Sequence, residues 1–220
     1  MQLLLDNLAQ HLQSNHSYEA VLQATCAVLE YIKKFPHKIS LAHHPLGFFL
    51  IKLGEVGSST SLRLHIWLPN KRTVQNPAWF IHNHIFTLKS YVLAGEITNI
   101  LFNTNFVATQ ANKCLYRVAY NSDSSILNRT SHYLSCNKIS EFTYWQGEHY
   151  VVEKGQYHAT YVPSESLTVT VVLASNRDKI NPYVIGDLQG ENRYIYCRTA
   201  MHSLNIADVA SFLLDTFSLR

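Results

Sequence analysis

Trp79 to Gly95, WFIHNHIFTLKSYVLAG, decides how the chain is read. A His-x-His pair, His82 and His84, lies in a run of aromatic and β-branched residues, and a tight-turn signal follows at Ala94-Gly95-Glu96. On a strand, side chains two apart share a face. A strand from Ala78 to Phe86 therefore sets Phe80, His82, His84 and Phe86 in one row that continues to Leu88, and two imidazoles converge on one point. Imidazoles on an otherwise apolar face are costly to bury unless their nitrogens find partners. A divalent metal is such a partner, and it needs at least a third ligand. His158, in EKGQYHATYV, is the leading candidate, because Gly155 ahead of it can bring its strand back across a barrel. His65, His132 and His149 are weaker candidates, since none sits in a comparable glycine-led strand.

Outside this stretch the chain is mostly β. Short runs at Gly47–Leu53, Ser61–Leu68, Ser90–Leu93, Ile97–Phe102, Cys114–Tyr120, His149–Glu153, Gln156–Val162, Leu167–Ala174 and Arg193–Cys197 read as strands. Many short strands at this spacing predict a barrel or sandwich, which hides one face of each strand. Pro182, Gly186 and Gly190 read as chain breakers before the last of them. The ends are helical. From Ser17, a plausible N-cap, apolar residues recur at three- and four-residue steps through Ile32, and Pro36 follows the stop. A shorter helix at Gln2–Leu12 precedes it, and Asn205 caps a last amphipathic helix, Ile206–Phe217. These helices are expected to pack outside a sheet and carry no chemistry. The reading is one domain in three parts: a helical extension (1–38), a β-barrel (39–200) and a C-terminal helix (201–220).

Composition narrows the function. Charged residues are 15% of 220 and hydrophobic ones 47%, which suits a globular protein. The net charge is +3, with lysines and arginines scattered, so neither nucleic acid nor a membrane is expected as a partner. The start, MQLLLDNLAQHL, lacks a basic leader and cleavage site, and no apolar run approaches the roughly 20 residues of a membrane span; a cytoplasmic location is expected. The four cysteines are far apart and are expected to be reduced thiols. Phosphate loops, nucleophile elbows and zinc-protease helices are absent.

One face of the second strand carries Arg63, His65 and Trp67, and the other Leu62, Leu64, Ile66 and Leu68. Either the leucine face packs the core and the polar face is wet, or the polar face lines a binding cavity in which Arg63 holds a substrate carboxylate.

Asn76 to Val162 resembles the cupin superfamily. Its first motif runs glycine, five residues, His-x-His, three or four residues, glutamate, six residues, glycine; His82, His84 and Gly95 match, Asn76 stands at the first glycine and Leu88 at the glutamate. In the second motif Gly147, Gly155 and His158 match, while Glu153 replaces the proline and Val162 the asparagine. The resemblance implies a mainly β fold, a cupin-type double-stranded β-helix or jelly-roll barrel with N-terminal helices and a C-terminal helix. Cupins with three histidines and no carboxylate ligand are similar to the cysteine or thiol dioxygenase branch. That implies Fe(II), or another divalent metal, on His82, His84 and His158, with Arg63 as a carboxylate clamp. It also implies a small acidic substrate, thiol- or amino-acid-like, and O2. Tyr144, Tyr157 and Tyr161 are nearby phenols that match no family tyrosine residue by residue; Tyr157 is taken as the candidate for proton transfer. Glu153 is a candidate hydrogen-bond partner for His158. The alternative is a non-redox small-molecule-binding or isomerase-like cupin, metal-bound or metal-free. A homodimer is possible on family grounds.

Overall fold

The computed structural model of the protein describes residues 1–36, 39–107, 109–121, 124–198 and 205–218. The helices α1 (Gln2–Gln13) and α2 (Tyr18–Lys34) come first, and α3 (Ile206–Ser218) comes last. Between them run β1 (Leu41–His44), β2 (Phe48–Val56), β3 (Thr60–Trp67), β4 (Thr87–Ala94), β5 (Glu96–Phe106), β6 (Lys113–Asn121), β7 (Ser124–Trp145), β8 (His149–Val152), β9 (Tyr157–Tyr161), β10 (Thr168–Ser175), β11 (Tyr183–Asp187) and β12 (Arg193–Cys197). The helix ends follow their chemistry. The Ser17 hydroxyl accepts from Ala20 N at 3.4 Å, and Asn205 Oδ1 accepts from Ala207 N at 3.0 Å, each satisfying an N–H that the helix leaves open. The expected part boundaries at 38 and at 200–201 lie outside the described residues.

The strands form two antiparallel sheets. The first has the order β1-β2-β3-β10-β4-β8; the second has the order β11-β6-β7-β5-β9, with β12 paired to β7. From β7 onward the chain steps between them: β7 lies in the second sheet, β8 in the first, β9 in the second and β10 in the first. That crossing pattern makes the molecule a mainly β jelly roll with helices at both ends. At the turn from β4 to β5, Gly95 has φ 75°, and a Cβ there would meet Leu167 O at 2.3 Å, so only glycine fits. The expected tight turn is present. Asn76, by contrast, is not among the described residues with positive φ.

The helices cover the outer face of the first sheet. Leu8, Leu12, Val28, Leu29 and Ile32 pack with Ile51, Leu62, Leu64, Leu93 and Val171, all essentially without solvent. Each such leucine contributes about 1.5–3 kcal/mol by burial. The inner face carries Phe48, Leu50, Trp67, Leu88 and Val172. Both faces of β3 are therefore occupied: leucines and Ile66 toward the helices, Arg63, His65 and Trp67 toward a cavity.

The structure departs from the sequence reading at three places. Ala78–Phe86 is an extended segment rather than a strand, because its backbone groups change partner at nearly every step. His82 exchanges both amide bonds with His158, Asn83 N donates to Tyr183 O, His84 O accepts from Gly155 N, and Ile85 O accepts from Asp178 N. No regular ladder can form, yet these groups are paired. His82 bridges β9 and also β11, joining the two ends of the second sheet. The second is β7, a 22-residue strand over a stretch to which the sequence reading assigned no element. It is held by β6 and β12 along its first half and by β5 along its second. Third, β11 runs through Gly186, which is no breaker: a Cβ there would meet the Trp79 ring at 2.7 Å, so glycine admits that indole against the strand.

Candidate metal centre

The extended segment and β9 bring His82, His84 and His158 together, with one ring nitrogen from each within 4.8 Å of the others. Ring centroids lie 4.6 to 5.1 Å apart. Two of the rings are oriented by hydrogen bonds from Nδ1: His82 donates to Phe80 O at 2.8 Å and His158 to Asn99 Oδ1 at 2.8 Å. Their Nε2 atoms thereby carry the lone pairs. His84 Nε2 stands 3.0 Å from His158 Nε2, about the separation of adjacent nitrogen ligands at ~2.1 Å in an octahedral field.

The electrostatics favour neutral rings. Burial holds all three imidazoles below the ordinary histidine range, His84 and His158 well below it. For His84 the other two imidazoles and Arg63 add to burial, and for His158 the His82 ring does. Neutral imidazole is the form that binds metal. No water-facing charge is needed to explain the cluster, and a divalent cation fits its donor set: three neutral nitrogens, two of them aimed by hydrogen bonds.

The centre opens into a cavity of about 390 Å³ between the sheets. Leu88 lines it, buried on β4, at the position of the cupin glutamate. Phe86 connects the centre to Arg63: its ring stacks on His84 at 5.3 Å, and the guanidinium lies 4.5 Å from its centroid. Arg63 Nη2 donates to Ser61 Oγ at 3.3 Å. His65 lines the same wall between Phe48 and Trp67, and burial, with Arg63 adding, lowers its pKa to about 3.

Tyr157 does not join them. It follows the strand alternation, so while His158 and Thr160 face the cavity, its ring packs with Ile81, Cys136 and Tyr183 around Leu115, Leu134 and Ile185. The phenols in the cavity wall are Tyr120 and Tyr150, the latter stacked on Tyr144 at 4.9 Å and pushed up to about 12 by burial. Glu153 is exposed and accepts from Thr87 Oγ1 at 3.2 Å; the partner of His158 is Asn99, which the sequence signals only as a polar residue in the apolar run of β5. His132 and His149 are exposed, against Phe106 and Tyr91. Lys89, next to Leu88 on β4, is turned away from the cavity, its Nζ donating to Gln13 O at 3.0 Å. His44, Arg177 and Arg198 line the cavity without having been marked by any motif.

No family model and no curated protein matches the chain in sequence. Among solved structures it is similar to hydroquinone 1,2-dioxygenase from Sphingomonas sp. TTNP3, at 7% identity and TM-score 0.35, over 58% of this chain and 65% of that one. It is similar to the polyketide cyclase RemF from Streptomyces resistomycificus at 14% identity and TM-score 0.36, over 66% and 75%. It is also similar to the DMSP lyase DddQ from Ruegeria pomeroyi at 14% identity and TM-score 0.32, over 62% and 50%. Likenesses this distant carry no argument about activity. No helix among the described residues is long and apolar enough to cross a membrane. The chemistry rests on the residues themselves: three neutral imidazoles, two of them oriented by hydrogen bonds, at the wall of a cavity that also holds Arg63, Arg177 and Arg198.

Proposed function

We propose that the protein is a mononuclear non-haem Fe(II) cupin oxygenase acting on a small acidic metabolite, thiol- or amino-acid-like, with O2. The observation that carries this reading is the donor set: three neutral imidazoles, with Leu88 where a carboxylate ligand would stand. Neutral ligands leave a divalent ion its full charge, which favours an anionic substrate beside it. Iron held there supplies the one-electron and dioxygen chemistry that side chains lack.

The chain's own residues do the rest. Asn99 fixes the proton of His158 on Nδ1, and the Phe80 carbonyl does the same for His82, so both rings present Nε2. Arg63, steadied by Ser61 and the Phe86 ring, anchors a substrate carboxylate by a charge-assisted pair. Phe48, Trp67, Phe86 and Leu88 give the cavity one apolar wall, which excludes water beside the reacting atoms. Tyr150 keeps its proton at neutral pH and serves as a hydrogen-bond donor rather than a base.

The test is oxygen uptake by iron-reconstituted protein offered a panel of acidic thiols and amino acids. Uptake with at least one of them, abolished in His82→Ala, is the expected result. Reconstituted protein that consumes no oxygen with any of them, or that takes zinc or nickel and refuses iron, would sink the oxygenase reading in favour of a non-redox cupin.

A further inference from the structure

Four cationic side chains meet along one part of the cavity wall. Lys52 and Arg63 are direct partners in the β2–β3 ladder, Arg177 lies just past β10, and Arg198 just past β12. Among the described residues Glu55 is the one carboxylate that lines the cavity with them. Among the described residues the ion pairs are Lys113–Asp187, Lys138–Glu141 and Lys154–Asp178, and none involves this group. The hydrogen bonds of the arginines reach neutral atoms: Arg63 Nη2 donates to Ser61 Oγ, and Arg198 Nε to Ser125 Oγ at 2.6 Å, with its guanidinium over the Tyr120 ring. A guanidinium carries five N–H donors, and among the described residues no carboxylate is ion-paired with these forks. Like charges held this close repel; Lys52 shows it, its pKa lowered by burial and then by Arg63, Arg198 and Arg177, with only Glu55 opposing.

A single carboxylate satisfies one fork and leaves the rest of the group in mutual repulsion. Several forks and an ammonium around one space match a group with two charges and three or more oxygens. The apolar wall of Phe48, Trp67 and Phe86 leads from that space to the histidines. We infer that the cavity recognises a ligand with a dianionic head group, a phosphate monoester or a dicarboxylate, seated by Arg63, Arg177 and Arg198 with Lys52 beside them. The body of the ligand lies along the aromatic wall toward His84. This deepens the oxygenase reading, and rests on it for what happens at the histidine end alone.

The test is calorimetric titration of the purified full chain with inorganic phosphate, malonate and, as a monoanion, acetate. Phosphate or malonate is expected to bind at least about ten-fold more tightly than acetate, the margin that one further charge-assisted contact supplies. Preference for phosphate marks the head as a phosphate monoester, and preference for malonate as a dicarboxylate. The R177Q/R198Q variant is expected to lose about ten-fold or more of that affinity while its iron content stays unchanged. Arg177→Gln alone, at an exposed loop position, is expected to lose about three-fold and keeps the test sound if the double variant does not fold. Acetate binding as tightly as both dianions, no dianion binding at all, or undiminished binding in the variants would overturn the inference. The parent chain separates the two readings: parent that takes up no iron on reconstitution yet binds phosphate overturns the oxygenase reading alone, and parent that takes iron without binding either dianion overturns the anion seat alone.

Discussion

The two faces of β3 divide the labour of the molecule. Leu62, Leu64 and Ile66 are sealed under the helices, while Arg63, His65 and Trp67, interleaved with them on the same eight residues, line the cavity. Alternation on one strand lets the first sheet act as core on one side and as binding wall on the other. Usually one face of an antiparallel sheet is wet. Here the helical layer supplies the burial that stabilises the sheet, and the inner face is released to hold polar and charged groups that a core would not tolerate.

If that division is right, damage to each face has its own signature. Leu64→Ala removes a fully buried side chain beneath the helices and is expected to cost about 3 kcal/mol of unfolding free energy, measured by urea titration, with metal content intact. On the inner side, Asn99→Leu deprives His158 of its orienting partner. Iron affinity is expected to fall about 10- to 100-fold in competition with a chelator, while the unfolding midpoint moves little. An equal loss of stability in both variants would erase the comparison.

A smaller effect sharpens it. His65, neutral in the fold with a pKa of about 3, titrates in the unfolded chain near 6.5. Between those values the unfolded state binds the proton that the folded state refuses, so this contribution is full above about pH 6.5 and is lost as pH falls. His65→Gln is expected to flatten the stability profile by on the order of 1–2 kcal/mol between pH 7 and pH 5. An unchanged slope would place His65 in a wetter setting than the cavity wall.

Much of this was legible in the residues. The helices, with Ser17 and Asn205 as caps, follow from periodicity and cap chemistry, and most strands follow from alternation. The pairing of the two histidine motifs pointed to His82, His84 and His158, and the structure brings those side chains into one cluster. What was hidden depends on long-range partners. β7 shows little apolar pattern because few of its residues are buried, and what holds it is pairing with distant strands, β6 and β12 along its first half and β5 along its second. The His82 segment reads as strand by composition, but its backbone is shared among β9, β11 and two loops. Arg177 and Arg198 reach the cavity from the ends of strands far apart in sequence, and Tyr157 turns away because His158 next to it turns in. Leu88 was visible as a gap in a motif; only the fold shows that the gap is a buried apolar wall.

The central claim is that three neutral imidazoles on the cavity side hold one iron. Elemental analysis of gently purified protein, with His158→Ala prepared in parallel, tests it most directly. The account predicts about one iron per chain in the parent protein and essentially none in the variant, with both chains folded by circular dichroism. A parent protein that carries no metal after iron reconstitution, or a variant that retains as much iron as the parent, would contradict it.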